Sequence, residues 1–122
     1  MILRTVSLLV LNLLLALFLA LSARAEAAQT GMASFYHPGL EGRSMANGAP
    51  YRSARATVAS RTLPLGSRVV VTNLKNHRRA HATVEDRGPY ARGRILDVSG
   101  SLARRLGMVR AGVARVRVAL LP

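Results

Sequence analysis

The apolar residues of this chain follow two different patterns. Residues 6–21 read VSLLVLNLLLALFLAL, an apolar run that only Ser7 and Asn12 interrupt. In the rest of the chain, apolar and polar residues alternate over short stretches that glycine, proline and asparagine separate. A long apolar run predicts a helix, whereas short alternation is typical of strands with one buried face.

The first part has the layout of a secretion signal. Arg4 precedes the apolar run, and the small-residue site Ala23-Arg24-Ala25 follows it. A basic start, an apolar run and an A-x-A site together are typical of a signal peptide. We therefore expect residues 1–25 to be cleaved off and residues 26–30 to lead into an exported domain. The alternative is an uncleaved membrane anchor, because the run is near the lower length limit for a spanning helix.

The second part, residues 26–122, predicts one small β domain. Six strands are expected, at residues 31–36, 57–59, 68–74, 79–85, 95–98 and 113–120. In the last strand, Val116, Val118 and Leu120 are expected to face the core. Arg115 and Arg117 are expected to face solvent, because successive side chains of a strand point to opposite faces. Short strands joined by glycine-rich loops predict a small closed barrel.

The segments between the strands are expected to be loops, with one exception. Residues 37–51 are irregular and rich in turn-forming residues, and residues 73–78 read as a hairpin loop. A brief helix is predicted at residues 101–106, where Ser99 can cap its start and Gly107 can end it.

The domain that follows the signal is strongly basic. It keeps 16 of the 18 lysines and arginines and all five acids, which gives a formal charge of +11. Such a balance indicates an acidic partner or surface, or else only a solvated basic face. Because export is expected, the candidate partners are anionic envelope polymers or an anionic lipid surface, and we expect no nucleic acid.

The chain has no cysteine, so it has no disulfide, no lipid-attached cysteine and no thiolate metal site. His37, His77 and His81 do not have the spacing of metal ligands. We expect no metal and no cofactor, and a monomer that its apolar core holds together.

Five segments, taken in order, closely resemble the rare lipoprotein A (RlpA) family: GMASFYH (31–37), EGRSMANGAPY (41–51), RTLPLGSRVVVTNLKN (61–76), VEDRGPYARGRILDVS (84–99) and ARRLGM (103–108). The resemblance covers nearly all of the domain. It implies a six-stranded double-psi β-barrel in the bacterial envelope that acts on peptidoglycan. Members of the family are lytic transglycosylases that prefer glycan strands lacking stem peptides.

A lytic transglycosylase needs an acid that protonates the leaving oxygen between N-acetylmuramic acid and N-acetylglucosamine. The same carboxylate can then take the proton of the attacking C6 hydroxyl, so one carboxylate suffices. The family pattern has Glu, Asp and His where this sequence has Ala49, Arg52 and Ser60. Each of these departures removes a titratable group or replaces an acid with a base. They indicate that catalysis is weakened or lost.

Two carboxylates remain as candidate acids. Asp86 matches the family motif and can act as the acid or bind sugar hydroxyls. Alternatively, it has a structural role and accepts backbone N–H bonds or pairs with Arg87 or Arg94. Glu41 lies in the same irregular stretch as the lost acid, and it is either a relocated acid or an exposed loop residue.

Five further residues are expected to bind glycan: Tyr51, Asn47, Arg43, Arg87 and Tyr90. Aromatic faces stack on sugars, although core packing is the more common role of an aromatic residue beside a strand. Tyr36 is assigned to the core for that reason. Arg43 can bind muramic acid carboxylates or anchor its loop, and Asp97 is expected to bind buried backbone near the helix start.

Three functions stay open from the sequence. The first is an RlpA-like lytic transglycosylase that uses Asp86 or Glu41. The second is a non-catalytic, expansin-like barrel that binds glycan strands. The third is a basic protein that sits on anionic lipid or nucleic acid and uses the barrel only as a scaffold; its binding would collapse with salt and ignore sugar identity.

Overall fold

The computed structural model describes residues 2–26 and 28–122. A single helix, α1, spans Ile2–Glu26 and therefore runs through the expected cleavage position after Ala25. Met1 and Ala27, which belong to the expected signal and leader, lie outside the described residues. Within the described ranges, no helix combines the length and the apolarity that crossing a membrane requires.

The remainder of the chain is a closed barrel with one short helix. Its strands are β1 (Ala28–Phe35), β2 (Thr57–Ala59), β3 (Arg68–Asn73), β4 (Arg79–Asp86), β5 (Arg94–Val98) and β6 (Val113–Leu120). The helix α2 spans Gly100–Arg105, and a single 3₁₀ turn lies at Pro38–Leu40. The strand order around the barrel is β1-β5-β2-β4-β3-β6. The predicted six-stranded barrel is therefore confirmed.

Two of the strand pairings are parallel and four are antiparallel. β1 runs parallel to β5, and β2 runs parallel to β4. The hairpin β3–β4 is antiparallel, as the loop at residues 73–78 predicts, and β6 joins β1 to β3. This mixed order brings together strand ends that are far apart in the sequence.

Alternation places the apolar side chains inside the barrel. Val69 and Val71 of β3, together with Val116 and Val118 of β6, are fully buried, as the sequence pattern predicts. One side of α2 adds Leu102 and Ala103 to the same core. Every residue of that core lies between Ala33 and Met108 or on β6, and the described side chains of α1 are exposed. The barrel therefore has a core of its own, and we expect it to fold without α1.

Three local expectations are wrong. β1 begins at Ala28 and not at Gly31, because Ala28 to Thr30 pair with β6. Ser99 precedes α2 but makes no capping bond; its Oγ accepts a hydrogen bond from the Thr57 backbone N–H at 3.3 Å instead. Leu120 is 36% exposed, because it lies at the end of its strand, beyond the residues that fill the core.

The strand register explains where a site can form. Ala59, the last residue of β2, pairs with Asp86 on one side and with Asp97 on the other. On the far side of β5, Ser34 of β1 pairs with Asp97. Since neighbouring strands lie about 4.8 Å apart, the register brings these two acids close together at one end of the barrel.

The end of α2 generates a stability prediction. Gly107 has φ of +67°, and a Cβ there would lie 2.9 Å from Asn76 Nδ2, which donates a hydrogen bond to the Leu106 carbonyl. Gly107→Ala should therefore add a steric conflict to the backbone strain, and we expect a loss of about 2–3 kcal/mol in the free energy of unfolding. Urea unfolding of the barrel measures it.

Gly66→Ala is the matched control, because Gly66 has φ of +86° but a Cβ at that position would have no neighbouring atom within 4 Å. It should cost only the backbone strain, about 1–2 kcal/mol. Equal losses for the two variants would contradict the steric conflict assigned to Gly107, where the Cβ would meet both Asn76 Nδ2 and Arg78 Nη1.

Candidate functional site

An open groove of about 370 Å³ lies at the end of the barrel where β1, β2, β4 and β5 meet. We call it the acid groove, because two carboxylates line it. Its lining consists of Ser34, Tyr36, Leu40, Ala59, Asp86, Arg87, Gly88, Pro89, Tyr90, Ala91, Arg94 and Asp97. Three of the residues that the sequence indicated, Asp86, Arg87 and Tyr90, therefore lie together in it.

Asp86 is held by hydrogen bonds on both carboxylate oxygens. Tyr36 donates its hydroxyl to Oδ2 at 2.6 Å. The backbone N–H groups of Ala46 and Arg87 donate to Oδ1 at 2.8 and 2.9 Å. A carboxylate has about four acceptor positions, so one position remains for a ligand in the groove. Neither Arg87 nor Arg94 forms an ion pair with Asp86 among the described residues.

Tyr36 connects the acid groove to a second cavity. Its ring stacks on Tyr51 with centroids 4.2 Å apart and an interplanar angle of 11°. Burial raises the pKa of the Tyr36 phenol well above its ordinary value, and the hydrogen bond to Asp86 and the charges of Asp86 and Asp97 raise it further. The phenol therefore stays protonated and acts as a donor to the carboxylate. The expectation that Tyr36 is only a core residue is wrong, since it lines both cavities.

Asp97 is also part of the groove, and its expected role on buried backbone near α2 is wrong. Its carboxylate accepts a hydrogen bond from the Ser34 hydroxyl of the neighbouring strand. The side chain is partly exposed and lines the acid groove. The parallel pairing of β1 with β5 produces this contact.

The second cavity, of about 470 Å³, is called the tyrosine pocket. It is lined by Phe35, Tyr36, Pro38, Glu41, Tyr51, Ser53, Gly100, Ala103, Arg104 and Val109. Tyr51 is only 2% exposed, and its hydroxyl accepts a hydrogen bond from the Gly100 N–H at 3.2 Å. Burial raises the pKa of Tyr51. The expected sugar-stacking role of Tyr51 does not fit this position, because its ring supports Tyr36 from within.

Glu41 does not reach the acid groove. Its Oε2 accepts the Ser53 backbone N–H at 2.9 Å, and its Oε1 lies 3.9 Å from Arg52 Nη1. Both contacts hold the ends of the irregular loop together. Its geometry agrees with the structural alternative for Glu41, whereas Asp86 is the carboxylate that faces an open site.

The remaining expected glycan-binding residues are divided between groove and loop. Arg87 lines the groove, but its Nη1 donates to the carbonyl groups of Ser60 and Leu63 at 2.9 and 2.6 Å. Tyr90 is 78% exposed and offers a free ring face at the groove rim. Asn47 accepts the Ala49 N–H at 2.9 Å and shapes its turn, and Arg43 is exposed on the same loop; both lie outside the linings of the two cavities.

The residues at the three positions that depart from the family pattern, Ala49, Arg52 and Ser60, make contacts within the loops of the barrel. Arg52 lies beside Glu41, and Ala49 closes the turn at Asn47. Ser60 is buried, and its Oγ accepts the N–H groups of Thr62 and Leu63 at 3.2 and 3.0 Å. Ser60 therefore stabilises the loop that Arg87 also holds.

The described residues contain no group of three or more histidines, aspartates or glutamates that could hold a metal ion. The groove itself offers the chemistry of three side chains. Asp86 supplies a carboxylate with one open position, Tyr36 supplies a fixed phenol, and Tyr90 supplies an exposed aromatic face. This combination can bind sugar hydroxyls and move a proton at one glycosidic oxygen.

The fold and the groove together define the class of the protein. A closed six-stranded barrel with two parallel pairings, and with a carboxylate groove at the ends of its strands, is a double-psi β-barrel of the RlpA type. A family described as "Lytic transglycolase" matches residues 28–118, and the chain belongs to this family. The resemblance seen in the sequence is therefore confirmed.

Relatives of known name are similar over the barrel. The endolytic peptidoglycan transglycosylase RlpA of Pasteurella multocida (strain Pm70) is 47% identical over 94 residues, which are 77% of this chain and 32% of the relative. Its namesake in Neisseria meningitidis serogroup A is 44% identical over 94 residues, which are 77% and 39% of the two chains. The chain thus spans roughly a third of the length of these relatives.

Solved structures show the same fold at low sequence identity. The Streptomyces papain inhibitor has a TM-score of 0.62 and 23% identity, over 78% of this chain and 94% of its own. An expansin of Clavibacter michiganensis has a TM-score of 0.60 and 24% identity, over 78% and 50% of the two chains. A mutant of that expansin has been solved in complex with cellohexaose.

The buried phenol of Tyr36 generates a pH prediction. Because its pKa is raised in the folded barrel, unfolding exposes a phenol that ionises at about pH 10. Its contribution to stability is constant below that pH and is lost as the pH rises above it. The urea unfolding free energy of the wild type should therefore fall more steeply between about pH 9 and about pH 11 than that of Tyr36→Phe. If the unfolding free energies of the two proteins changed equally with pH, the assignment of a raised pKa to Tyr36 would be contradicted.

Proposed function

We propose that this protein is exported and that its barrel acts on the glycan strands of peptidoglycan as a lytic transglycosylase, with Asp86 as the acid and base. One observation carries the proposal: the Asp86 carboxylate lies in an open groove and keeps one acceptor position free. Membership of the lytic transglycolase family and the names of the relatives support the substrate class.

The reaction requires only one carboxylate. Protonated Asp86 gives its proton to the oxygen between N-acetylmuramic acid and N-acetylglucosamine, and the bond from that oxygen to the muramyl C1 breaks. The Asp86 carboxylate then takes the proton of the muramyl C6 hydroxyl as its oxygen bonds to C1. The products are a 1,6-anhydromuramyl end and a free sugar end, and no water is consumed.

The neighbours of Asp86 fix the direction of this proton transfer. Tyr36 and the two backbone N–H groups occupy three acceptor positions, which leaves one for a ligand in the groove that Asp86 lines. Tyr90 at the rim can stack on a sugar ring and place the glycosidic oxygen there. Asp97, held by Ser34, is suited to accept sugar hydroxyls.

A second candidate function is binding of glycan strands without cleavage. It is favoured by the side chains at the three departing positions, because Ala49 has no titratable group, Arg52 stays charged and Ser60 is buried in loop contacts. In this case the acid groove holds a strand, and Asp86 accepts hydroxyl hydrogen bonds. The product spectrum decides between the two functions.

The first test of the catalytic role is Asp86→Asn in residues 26–122. With glycan strands stripped of stem peptides as substrate, mass spectrometry should show 1,6-anhydromuramyl products for the wild type. The asparagine cannot transfer the proton, so the initial rate should fall about 10²–10⁴-fold. Strand binding should persist, because the amide NH2 group can donate a hydrogen bond to a sugar hydroxyl in the groove.

Arg105→Gln is the control, because Arg105 is exposed on α2 and lines neither the acid groove nor the tyrosine pocket. Its rate should equal that of the wild type. Strand binding without anhydro products from the wild type would favour the non-catalytic function. An unchanged rate for Asp86→Asn would exclude Asp86 as the acid, and Glu41→Gln would then be measured.

A gain of activity provides an independent prediction. Ala49→Glu with Arg52→Asp restores the carboxylates of the family pattern on the loop beside the groove, and we expect the rate to rise about tenfold or more. Ser60 is kept, because a histidine there would displace the buried contacts of the loop. Ala54→Glu is the control, since it adds an acid to an exposed position of the same segment. A rise with the control alone would contradict the alignment of this loop.

A further inference from the structure

A third cavity lies away from the acid groove and the tyrosine pocket. It has a volume of about 740 Å³ and lies where β1 and β6 meet the loop after β3 and the loop after α2. We call it the basic recess, because Lys75, Arg110 and Arg115 line it. It shares no lining residue with the other two cavities.

The positive charge of the recess is not neutralised by acids of the barrel. Residues 28–122 contain four acidic side chains, and none of them lines the recess. Glu41 lies beside Arg52, and Glu85 pairs with Arg55 at 2.5 Å. Asp86 and Asp97 accept hydrogen bonds from Tyr36 and Ser34 in the acid groove. The cations of the recess are therefore available to an external anion.

The floor of the recess is apolar, which narrows the class of ligand. Met32, Met108, Val113 and Ala114 contribute to it, and the side-chain amides of Asn73 and Asn76 are already bonded to the Leu106 carbonyl. A bare phosphate would leave this apolar surface unused, and a neutral sugar would leave the cations of the recess unpaired. A short peptide with carboxylates and aliphatic carbons matches both the rim and the floor.

The surface of the sheet beside the recess is also positively charged. Arg115 and Arg117 are exposed on β6, where they alternate with the buried Val116. Thr72 of β3 pairs with Arg117 on one side and with Arg79 of β4 on the other, which puts the two arginines about 10 Å apart. A ligand that extends from the recess over this face meets further cations.

We propose that the basic recess binds carboxylate-bearing peptides and, resting on the proposed function, that these are the stem peptides of peptidoglycan. The acid groove takes a glycan strand that lacks them, and the recess takes the peptides of a neighbouring strand. The barrel is thereby held against intact wall while its groove works on a bare strand. Arg110 and Arg115 bind the carboxylates, and the half-buried Met32 and Val113 contact the aliphatic carbons.

The proposal is tested by cosedimentation of residues 26–122 with insoluble peptidoglycan in three forms: intact, stripped of stem peptides by an amidase, and intact with its carboxylates blocked as amides. The wild type should bind the intact form about tenfold more tightly than the other two. Arg110→Gln with Arg115→Gln should remove this preference. Ala111→Trp, which places a bulky side chain in the recess and keeps every charge, should weaken binding to the intact form as well.

Arg92→Gln with Arg105→Gln is the matched control, because it removes the same charge from exposed positions outside the recess and should keep the preference. Equal binding to all three forms by the wild type would overturn the proposal, as would equal losses in both double variants. Binding that survives amidation would also overturn it and would point to phosphate groups of the wall.

Different results would contradict the proposed function of the acid groove and the proposed peptide binding in the basic recess. The recess variants should bind stripped strands as the wild type does, and Asp86→Asn should keep the preference for intact peptidoglycan. A wild type that prefers intact peptidoglycan but neither binds nor cleaves stripped strands would contradict the proposed function alone.

Discussion

The hydrogen bond from the Tyr36 hydroxyl to Asp86 is the contact on which the groove depends. It joins residues 50 positions apart in the sequence, at the ends of strands that the barrel order brings together. Burial and the nearby carboxylates keep the phenol protonated, so the Tyr36 hydroxyl remains a hydrogen-bond donor at any physiological pH. Tyr51 supports Tyr36 from behind, and the carboxylate is thereby fixed without the use of a cation. A groove arranged in this way leaves Asp86 directed at a ligand.

The sequence predicted the strands and the short helix far better than the contacts between residues of different strands. Alternation located all six strands to within three residues, and it placed Val116 and Val118 in the core. Family motifs placed Asp86 in the groove. Tyr36 and Asp97 were misjudged, because their roles arise from the pairing of β1 with β5 and from a side-chain hydrogen bond to the end of β4, which no local pattern encodes. Tyr51 was assigned to glycan binding, because the sequence around a tyrosine beside a loop does not show whether its ring contacts a sugar or another aromatic ring.

The departures from the family pattern have different structural costs. Arg52 is exposed and Ala49 is half-buried in a turn, so a change of either side chain disturbs no core contact. Ser60 instead shares its loop with the guanidinium of Arg87, so its hydroxyl has become part of the scaffold. The groove around Asp86 is therefore formed in this barrel although the neighbouring loop lacks the acids of the family pattern.

The pairing of β1 with β6 has a consequence for how such a barrel can be combined with other domains in evolution. Ala28 lies opposite Ala119, so the chain enters and leaves the barrel at neighbouring points, and the core between them is self-contained. A unit with adjacent ends can be spliced into a longer polypeptide, or have its ends rejoined and reopened elsewhere, without disturbing its interior. The barrel can therefore be joined to other domains as a self-contained unit. This agrees with the match to the RlpA of Pasteurella multocida, in which the similar region makes up 32% of the chain.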